Sequence, residues 1–149
     1  MRIRIIAAGR MRRGLEQDLY EHYRQRLRWE VDLREIDDRK TSGSKEREGE
    51  AILAAVPDGS VLVALDERGQ DMASGALAKK IGAWRDTGIS DLVFAIGGAD
   101  GLSDQVRQEA HLLLAFGSAT WPHLLVRGML AEQLYRSQQI LAGHPYHRA

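Results

Sequence analysis

Residues 92–101 read Leu92-Val93-Phe94-Ala95-Ile96-Gly97-Gly98-Ala99-Asp100-Gly101, an apolar run that passes directly into a loop with three glycines. Continuous apolar runs without alternation are typical of strands buried on both faces, as in parallel sheets. Two more runs of this kind occur at Val61–Leu65 and Leu112–Phe116. Together the three runs predict a buried, largely parallel sheet whose strands end in polar or glycine-bearing loops.

Helical periodicity separates the predicted strands. Apolar residues recur every four positions from Leu15 to Leu27, which predicts a helix over about Met11–Leu27. The other predicted helices are 45–55, one from residue 71 or 74 to about 88, 104–110 and 123–141, and the two further strands are 1–8 and 31–36. Charged residues predict a mobile loop at Asp37–Ser44 and a polar loop at Asp66–Gly69. Alternating strands and helices predict one α/β domain over residues 1–149, with a mostly parallel sheet and helices on both faces.

Composition excludes several functional classes. The chain has 149 residues and 44% hydrophobic residues, so an ordinary globular core is expected. It has no cysteine, which removes disulfides, thiolate metal sites and a cysteine nucleophile. We find no signal peptide and no apolar stretch long enough to span a membrane, and we expect a cytoplasmic protein. His144 and His147 have a spacing seen in metal sites, but no third ligand type clusters nearby, so no metal is expected.

The net charge of zero hides a segregation along the chain. Residues 1–28 contain eight arginines and three acidic residues, and residues 111–149 contain three arginines and one glutamate. Residues 29–110 contain ten basic and seventeen acidic residues. If the two basic ends meet in space, they form a positive patch suited to a polyanion. The alternative is that the arginines only solvate the outer face of an N-terminal helix, and spacing alone favours this.

Ligands of open α/β sheets bind beyond the carboxyl ends of the strands, so the loops after Leu65, Ile96 and Phe116 are candidates. The glycine loop matches neither the dinucleotide fingerprint nor the P-loop. The absence of both motifs argues against a nucleotide-dependent oxidoreductase. Without context, a tight structural turn is the better interpretation of its glycines. Asp66 is compatible with a ribose contact or with a turn cap.

The C-terminal region is rich in functional side chains. His123 follows Pro122 at a predicted helix start, where it could be a neutral base or a capping residue. Glu132 and Arg136 are spaced to pair on one helix face. The tail His144-Pro145-Tyr146-His147-Arg148 suits a nucleic-acid backbone and a stacked base, or it packs back on the core.

Taken together, these motifs resemble a known family over the whole chain. They are Leu65-Asp66-x-x-Gly69, Ile96-Gly97-Gly98-x-x-Gly101-Leu102-Ser103, Pro122-His123-x-Leu125-Val126-Arg127, Glu132-Gln133-Leu134-Tyr135-Arg136 and the terminal His144–Arg148. Their order and spacing resemble the RlmH (YbeA-like) family of ribosomal RNA methyltransferases, of the SPOUT or α/β-knot class. The tail and the Pro-His-x-Leu-Val-Arg motif are its most specific parts.

The resemblance implies a fold, an activity and partners. It implies a C-terminal trefoil knot, a homodimer, and transfer of a methyl group from S-adenosylmethionine to N3 of a pseudouridine in 23S, the large-subunit, ribosomal RNA. Because the net charge is zero, we expect the assembled ribosome to be the substrate. A non-enzymatic RNA-binding or ribosome-assembly factor on the same fold is the alternative.

Site residues follow from the matching motifs. The resemblance implies a methyl-donor site formed by Leu65, Gly97, Phe116, Gly117, Ser118, Ala119, Thr120 and Trp121. It suggests His123, Glu132 and Arg127 as catalytic residues, with His147 as a further candidate base. The expected RNA-binding residues are Arg136, His144, Tyr146, His147 and Arg148, with Tyr146 stacked on the target base.

Overall fold

The computed structural model describes residues 1–146, and its centre is a sheet of five strands that pair only in parallel. The strands are β1 (Arg2–Ala8), β2 (Glu30–Ile36), β3 (Val61–Asp71), β4 (Asp91–Ile96) and β5 (Leu112–Ala115). The helices are α1 (Leu15–Arg24), α2 (Asp38–Thr41), α3 (Lys45–Ala54), α4 (Ser74–Asp86), α5 (Asp104–Glu109) and α6 (His123–Leu141). The strand order β2-β1-β4-β3-β5 confirms the predicted parallel α/β sheet.

Each strand sends alternate side chains into two separate cores. In β1, Ile3 and Ile5 enter one core and Ile6 enters the other. The first core is closed by α1, α4 and α6, and the second by α3 and α5. This arrangement confirms helices on both faces, and it explains why the strands read as continuous apolar runs.

The sequence predicted that the third strand ends at Leu65 and that Asp66–Gly69 is a loop. This end point is wrong, because β3 resumes pairing with β5 at Gln70. Leu65 and Gln70 both pair with Leu114, so the four residues between them bulge out of the ladder. A Cβ added at Gly69 would lie 2.6 Å from the carbonyl carbon of Leu113, so the strands approach this closely only with glycine there. The polar composition hid the second part of β3, since its pairing uses main-chain groups alone.

Two further boundaries differ from the sequence prediction. Helix α1 begins at Leu15 rather than near Met11, because Gly14 has a φ of 151° that a helix does not accommodate. The charged segment predicted as a mobile loop contains α2, whose first turn is capped by the Asp37 carboxylate accepting a 2.9 Å hydrogen bond from the amide of Arg39.

Helix α1 packs along α6, so the two basic ends of the chain meet in space. A Cβ added at Gly128 of α6 would lie 2.7 Å from the Leu19 side chain of α1, which shows how closely the helices approach. Farther along, the Arg26 guanidinium lies 5.9 Å from the centre of the Tyr135 ring. No helix within residues 1–146 has the length and apolarity to cross a membrane. The trefoil knot stays a prediction.

Replacing Gly128 with Val should lower the free energy of unfolding by about 1–3 kcal/mol, because the added methyl groups overlap Leu19. Urea unfolding at a fixed protein concentration measures the change. Gly75→Val is the matched control, since a Cβ there meets nothing within 4 Å and α4 is open at that point. Equal effects of the two substitutions would contradict the close packing of α1 on α6.

Candidate active site

A cavity of about 620 Å³ opens at the bulge of β3 and at the carboxyl ends of β4 and β5. The loops that follow Leu65, Ile96 and Ala115 form its wall, and the start of α6 closes it at Pro122, His123 and Val126. The three loops singled out in the sequence therefore meet at one place. Its size is that of pockets that enclose a small cofactor.

The glycine loop presents bare main chain to this cavity. A Cβ added at Gly97 would lie 2.5 Å from the carbonyl carbon of Gly101, so any larger residue would force the backbone apart. The Gly101 amide donates a 3.0 Å hydrogen bond to the Gly98 carbonyl, and Gly101 has a φ of 80°. The loop is thus a tight structural turn and, at the same time, an open surface of main-chain groups.

Residues 116–121 form the opposite wall of the cavity, and hydrogen bonds from two of their side chains hold this loop in place. The Trp121 indole donates a 2.9 Å hydrogen bond to the Phe116 carbonyl, and the Thr120 hydroxyl donates a 2.6 Å hydrogen bond to Glu67. The second bond ties this loop to the bulge in β3. Of the eight predicted donor-site residues, seven line the cavity: Leu65, Gly97, Phe116, Gly117, Ala119, Thr120 and Trp121. Ser118 is exposed and lies outside the lining.

Asp66 is occupied by neighbouring protein groups, which favours the turn interpretation over a ribose contact. Its carboxylate accepts a 2.8 Å hydrogen bond from the Arg68 amide and forms an ion pair with Arg107 at 2.9 Å. Burial would raise the pKa of Asp66, but the Arg68 hydrogen bonds and the positive charges of Arg68 and Arg107 lower it below its ordinary value. The side chain therefore stays ionised and holds the bulge in shape.

His123 lies half-buried at the junction of the cavity and the end of β1. Its Nε2 atom lies 3.8 Å from the position of a Cβ added at Gly9. Burial lowers the pKa of His123, the charge of Arg127 lowers it further, and Asp38 opposes both. The imidazole is consequently neutral at pH 7 and able to accept a proton.

Arg127 is buried in the protein interior and does not line the cavity. It is completely buried, and its guanidinium donates to the carbonyls of Ala8 and Gly9 at 3.2 and 3.0 Å and forms an ion pair with Glu35. A buried charge requires such partners. Arg127 therefore joins α6 to the ends of β1 and β2 through its two Nη groups, while its buried Nε has no hydrogen-bond partner within the described residues.

The remaining tail residues gather at the far end of α6. Glu132 forms an ion pair with Arg136 at 2.6 Å and accepts a 3.3 Å hydrogen bond from the Tyr146 hydroxyl. The Arg136 guanidinium lies 5.0 Å from the Tyr146 ring centre, and that ring packs edge-on against Tyr135. Burial, followed by the charge of Glu132, raises the pKa of Tyr146 to about 12, so the phenol remains a donor.

The fold of the chain does not bring His123 and Glu132 together. They are nine residues apart on one helix, which separates them by roughly 13 Å, and Arg136 lies about 20 Å from His123. Within residues 1–146, the tail thus folds back on α6, with the amide of Tyr146 donating to the Nδ1 atom of His144 at 3.2 Å. The predicted sites His147 and Arg148 lie outside the described residues.

Sequence reasoning missed two carboxylates that border the site. Glu48 is buried on α3, and its oxygens lie 3.3 Å from a Cβ position at Gly98. Burial raises the pKa of Glu48, and the negative charges of Asp100 and Asp38 add to this. Glu35 is the partner of Arg127. Neither stood out in the sequence, because both occur among other charged residues and gain their surroundings only from the sheet order.

Comparison with known proteins extends over almost the whole chain. Residues 1–147 match a family model described as predicted SPOUT methyltransferase. A Rhodospirillum centenum protein named ribosomal RNA large subunit methyltransferase H is 59% identical over 152 residues, covering all of both chains. A Paramagnetospirillum magneticum protein of the same name is 49% identical and covers 99% of both chains.

A solved structure shares the fold. It is that of a probable methylase family protein from Haemophilus influenzae, with a TM-score of 0.60 and 12% sequence identity. The alignment covers 99% of the present chain and 70% of the other. At this identity the likeness concerns the fold alone.

In a titration followed by NMR, the His123 imidazole should have a pKa below its ordinary value of 6.5. Asp38→Asn should lower it further, because the favourable carboxylate charge is removed, whereas Asp58→Asn in a distant turn should leave it unchanged. A rise in the Asp38→Asn variant would contradict the geometry.

The same shift has a consequence for stability. Because the folded pKa is lowered, the unfolded chain takes up the proton first, and stability should fall as the pH drops through 6.5 toward the folded pKa. This part of the pH dependence should be missing in His123→Gln, as measured by urea unfolding at pH 7.5 and 5.5.

Proposed function

The chain belongs to the SPOUT methyltransferase family, and from this premise we propose that it transfers a methyl group from S-adenosylmethionine to N3 of a pseudouridine in large-subunit ribosomal RNA, on assembled ribosomes in the cytoplasm. The full-length 59% identity with a ribosomal RNA large subunit methyltransferase carries the proposal. The relatives' name specifies the large-subunit RNA, and the choice of base and atom is an inference from the resemblance of the motifs.

The cavity at the bulge of β3 and the ends of β4 and β5 suits the methyl donor. Its wall combines apolar side chains at Leu65, Ile96 and Phe116 with main chain made accessible by glycines. Such a surface suits an adenine ring, while the amide groups of the glycine loop suit ribose and amino-acid oxygens. When bound, the donor supplies a methyl group already activated on a sulfonium, so the protein has only to align it and prepare the acceptor.

Preparing the acceptor means removing the proton from N3, since only then is the nitrogen lone pair free to attack. His123 is the base we propose, because it lines the donor cavity and its neutral imidazole can accept the proton. Arg127 acts as a positioning residue in this scheme. It lies one helical turn beyond His123 and fixes the start of α6 against the end of β1.

A homodimer completes the site in this proposal. Glu132, Arg136 and Tyr146 form one cluster, but α6 holds Glu132 roughly 13 Å and Arg136 about 20 Å from His123 of their own subunit. We therefore assign them to the site of the partner subunit, where the cation and the aromatic ring would contact RNA.

An assembled ribosome suits the charge of this protein. A chain of zero net charge binds long RNA weakly unless its arginines are concentrated locally. On the ribosome, contacts with protein can supplement contacts with phosphates. Free ribosomal RNA should then be methylated poorly at moderate salt.

Incubating ribosomal subunits with labelled S-adenosylmethionine should place one methyl group on a large-subunit pseudouridine, mapped by digestion and mass spectrometry. His123→Ala should reduce turnover by about 10²- to 10⁴-fold, the usual contribution of a general base. Binding of the donor, measured by calorimetry, should persist in this variant. Near-normal turnover would remove His123 as the base, and absence of donor binding to the unaltered protein would refute the methyltransferase assignment.

Mixing two variants tests the shared site: His123→Ala removes the proposed base, and Glu132→Gln weakens the carboxylate that holds Arg136 and Tyr146, so we expect each variant alone to be inactive. His123→Ala and Glu132→Gln subunits, refolded together, form heterodimers in which one of two sites keeps both residues. Activity should recover to roughly a quarter of the unaltered level, because half of the dimers are mixed and each has one intact site. Light scattering verifies dimers in every sample. No recovery would contradict a site formed across the dimer.

A further inference from the structure

A second cavity, of about 970 Å³, lies over the ends of β1 and β2 and has no part in the donor site. We call it the arginine groove, and its lining consists of Gly9, Arg10, Met11, Arg12, Arg13, Gln17, Glu35, Ile36, Asp37, Asp38 and Arg39. Three of its four arginines come from the short segment between β1 and α1. Seven of its eleven lining residues are charged, against five of the twenty-two that line the donor cavity.

The acidic groups of the groove are largely engaged by the protein. Glu35 forms its ion pair with Arg127 and also accepts a 2.6 Å hydrogen bond from the Met11 amide. Asp37 is held by both the amide and the guanidinium of Arg39, and these side-chain and main-chain hydrogen bonds lower the pKa of Asp37. Of the acidic side chains that face the groove, Asp38 alone keeps its charge unpaired within residues 1–146.

The positive groups are not engaged in this way. Arg10, Arg12 and Arg13 are all exposed, and none forms an ion pair with another residue of the described chain. Three guanidinium groups therefore face one groove with little compensating charge. Guanidinium groups bind phosphate oxygens in a bidentate manner, which makes such a cluster suited to a phosphate backbone.

The segment that carries these arginines is anchored. Its first residues are fixed by the hydrogen bonds from Arg127 to the carbonyls of Ala8 and Gly9, and Met11 is held by Glu35. It ends at Gly14, whose positive φ turns the chain into α1. Anchoring lowers the entropy lost on binding, so a ligand meets a surface that is already arranged.

The arginine groove and the donor cavity meet at His123. This residue lines the donor cavity, and its Nε2 atom lies 3.8 Å from the Cβ position at Gly9, which lines the groove. Both cavities lie on the carboxyl edge of the sheet, side by side. A polymer lying in the groove would therefore pass directly beside the proposed base.

We propose that the arginine groove binds the phosphate backbone of the RNA strand next to the target nucleotide and so delivers the base to His123. This rests on the proposed function, and it adds a contact surface that the C-terminal tail does not supply. It also explains how a protein of zero net charge holds RNA, since the positive charge is concentrated where the reaction takes place. An acidic face of a ribosomal protein is the competing occupant, and the experiment separates the two.

The test compares three triple variants with the unaltered protein. Arg10→Ala/Arg12→Ala/Arg13→Ala removes the groove charge, and the corresponding triple lysine variant keeps the charge without the forked geometry. The matched control, Lys79→Ala/Lys80→Ala/Arg85→Ala, removes three charges from the exposed face of α4. Circular dichroism melting shows that each variant is folded, and calorimetry shows that each binds S-adenosylmethionine.

The probe is a labelled single-stranded RNA of about 20 nucleotides spanning the methylated position, with binding measured between 20 and 200 mM salt. Loss of three phosphate contacts should reduce the slope of log K against log salt by about 2 and weaken binding roughly ten- to a hundredfold at about 0.1 M salt. The lysine variant should keep the slope, and the α4 variant should behave like the unaltered protein. Methylation of ribosomal subunits should show a raised KM in the alanine variant.

Unchanged RNA affinity and salt slope in the alanine variant would overturn the proposal. It would equally be overturned if affinity for intact subunits fell while affinity for the free RNA did not, because the groove would then face a ribosomal protein. Failure of the proposed function has a separate signature, namely no methyl transfer by the unaltered protein. The RNA-binding measurements report on the groove in either case.

Discussion

The buried guanidinium of Arg127 is the interaction on which the rest of the site depends. It ties α6 to the ends of β1 and β2 through two carbonyls and the carboxylate of Glu35. A charge in this position is tolerable only with all three elements in place, since losing one partner would leave an unpaired buried group. The start of α6 and the segment after β1 are thereby fixed relative to each other, and the donor cavity and the arginine groove share this one connection.

Much of the fold was accessible from the sequence because the sheet is buried on both faces. Apolar runs such as Leu92–Ile96 define strands regardless of their neighbours, and the loops that leave them meet at one edge by the geometry of parallel sheets. The resumption of β3 after Gly69 was not accessible, because it depends on main-chain pairing with β5. The position of Arg127 was also missed, since an arginine is expected on the surface unless its partners are known.

The site divides in the same way. Seven of the eight residues predicted for the donor site line one cavity, because the segments that carry them follow buried strands; their role in donor binding stays a prediction. Helix α6 has its predicted bounds, and its rise alone separates His123 from Glu132 and Arg136, whereas the contact of Tyr146 with Glu132 required the structure. The groove formed by Arg10, Arg12 and Arg13 was hidden for another reason. The sequence indicated a helix from about Met11, in which Arg12 and Arg13 would point in different directions.

The glycine loop has a consequence for how this site can change over time. Recognition by main-chain groups depends on the path of the backbone and hardly on the side chains that it carries. Positions such as Ala99 and Asp100, which are exposed, are thus free to drift, whereas Gly97 is held by its contact with Gly101. In a mutational scan of the cavity, a change of side-chain type at the exposed loop positions should have little effect, whereas any added side chain at Gly97 should be strongly deleterious. The glycines, rather than polar side chains, would then identify the site.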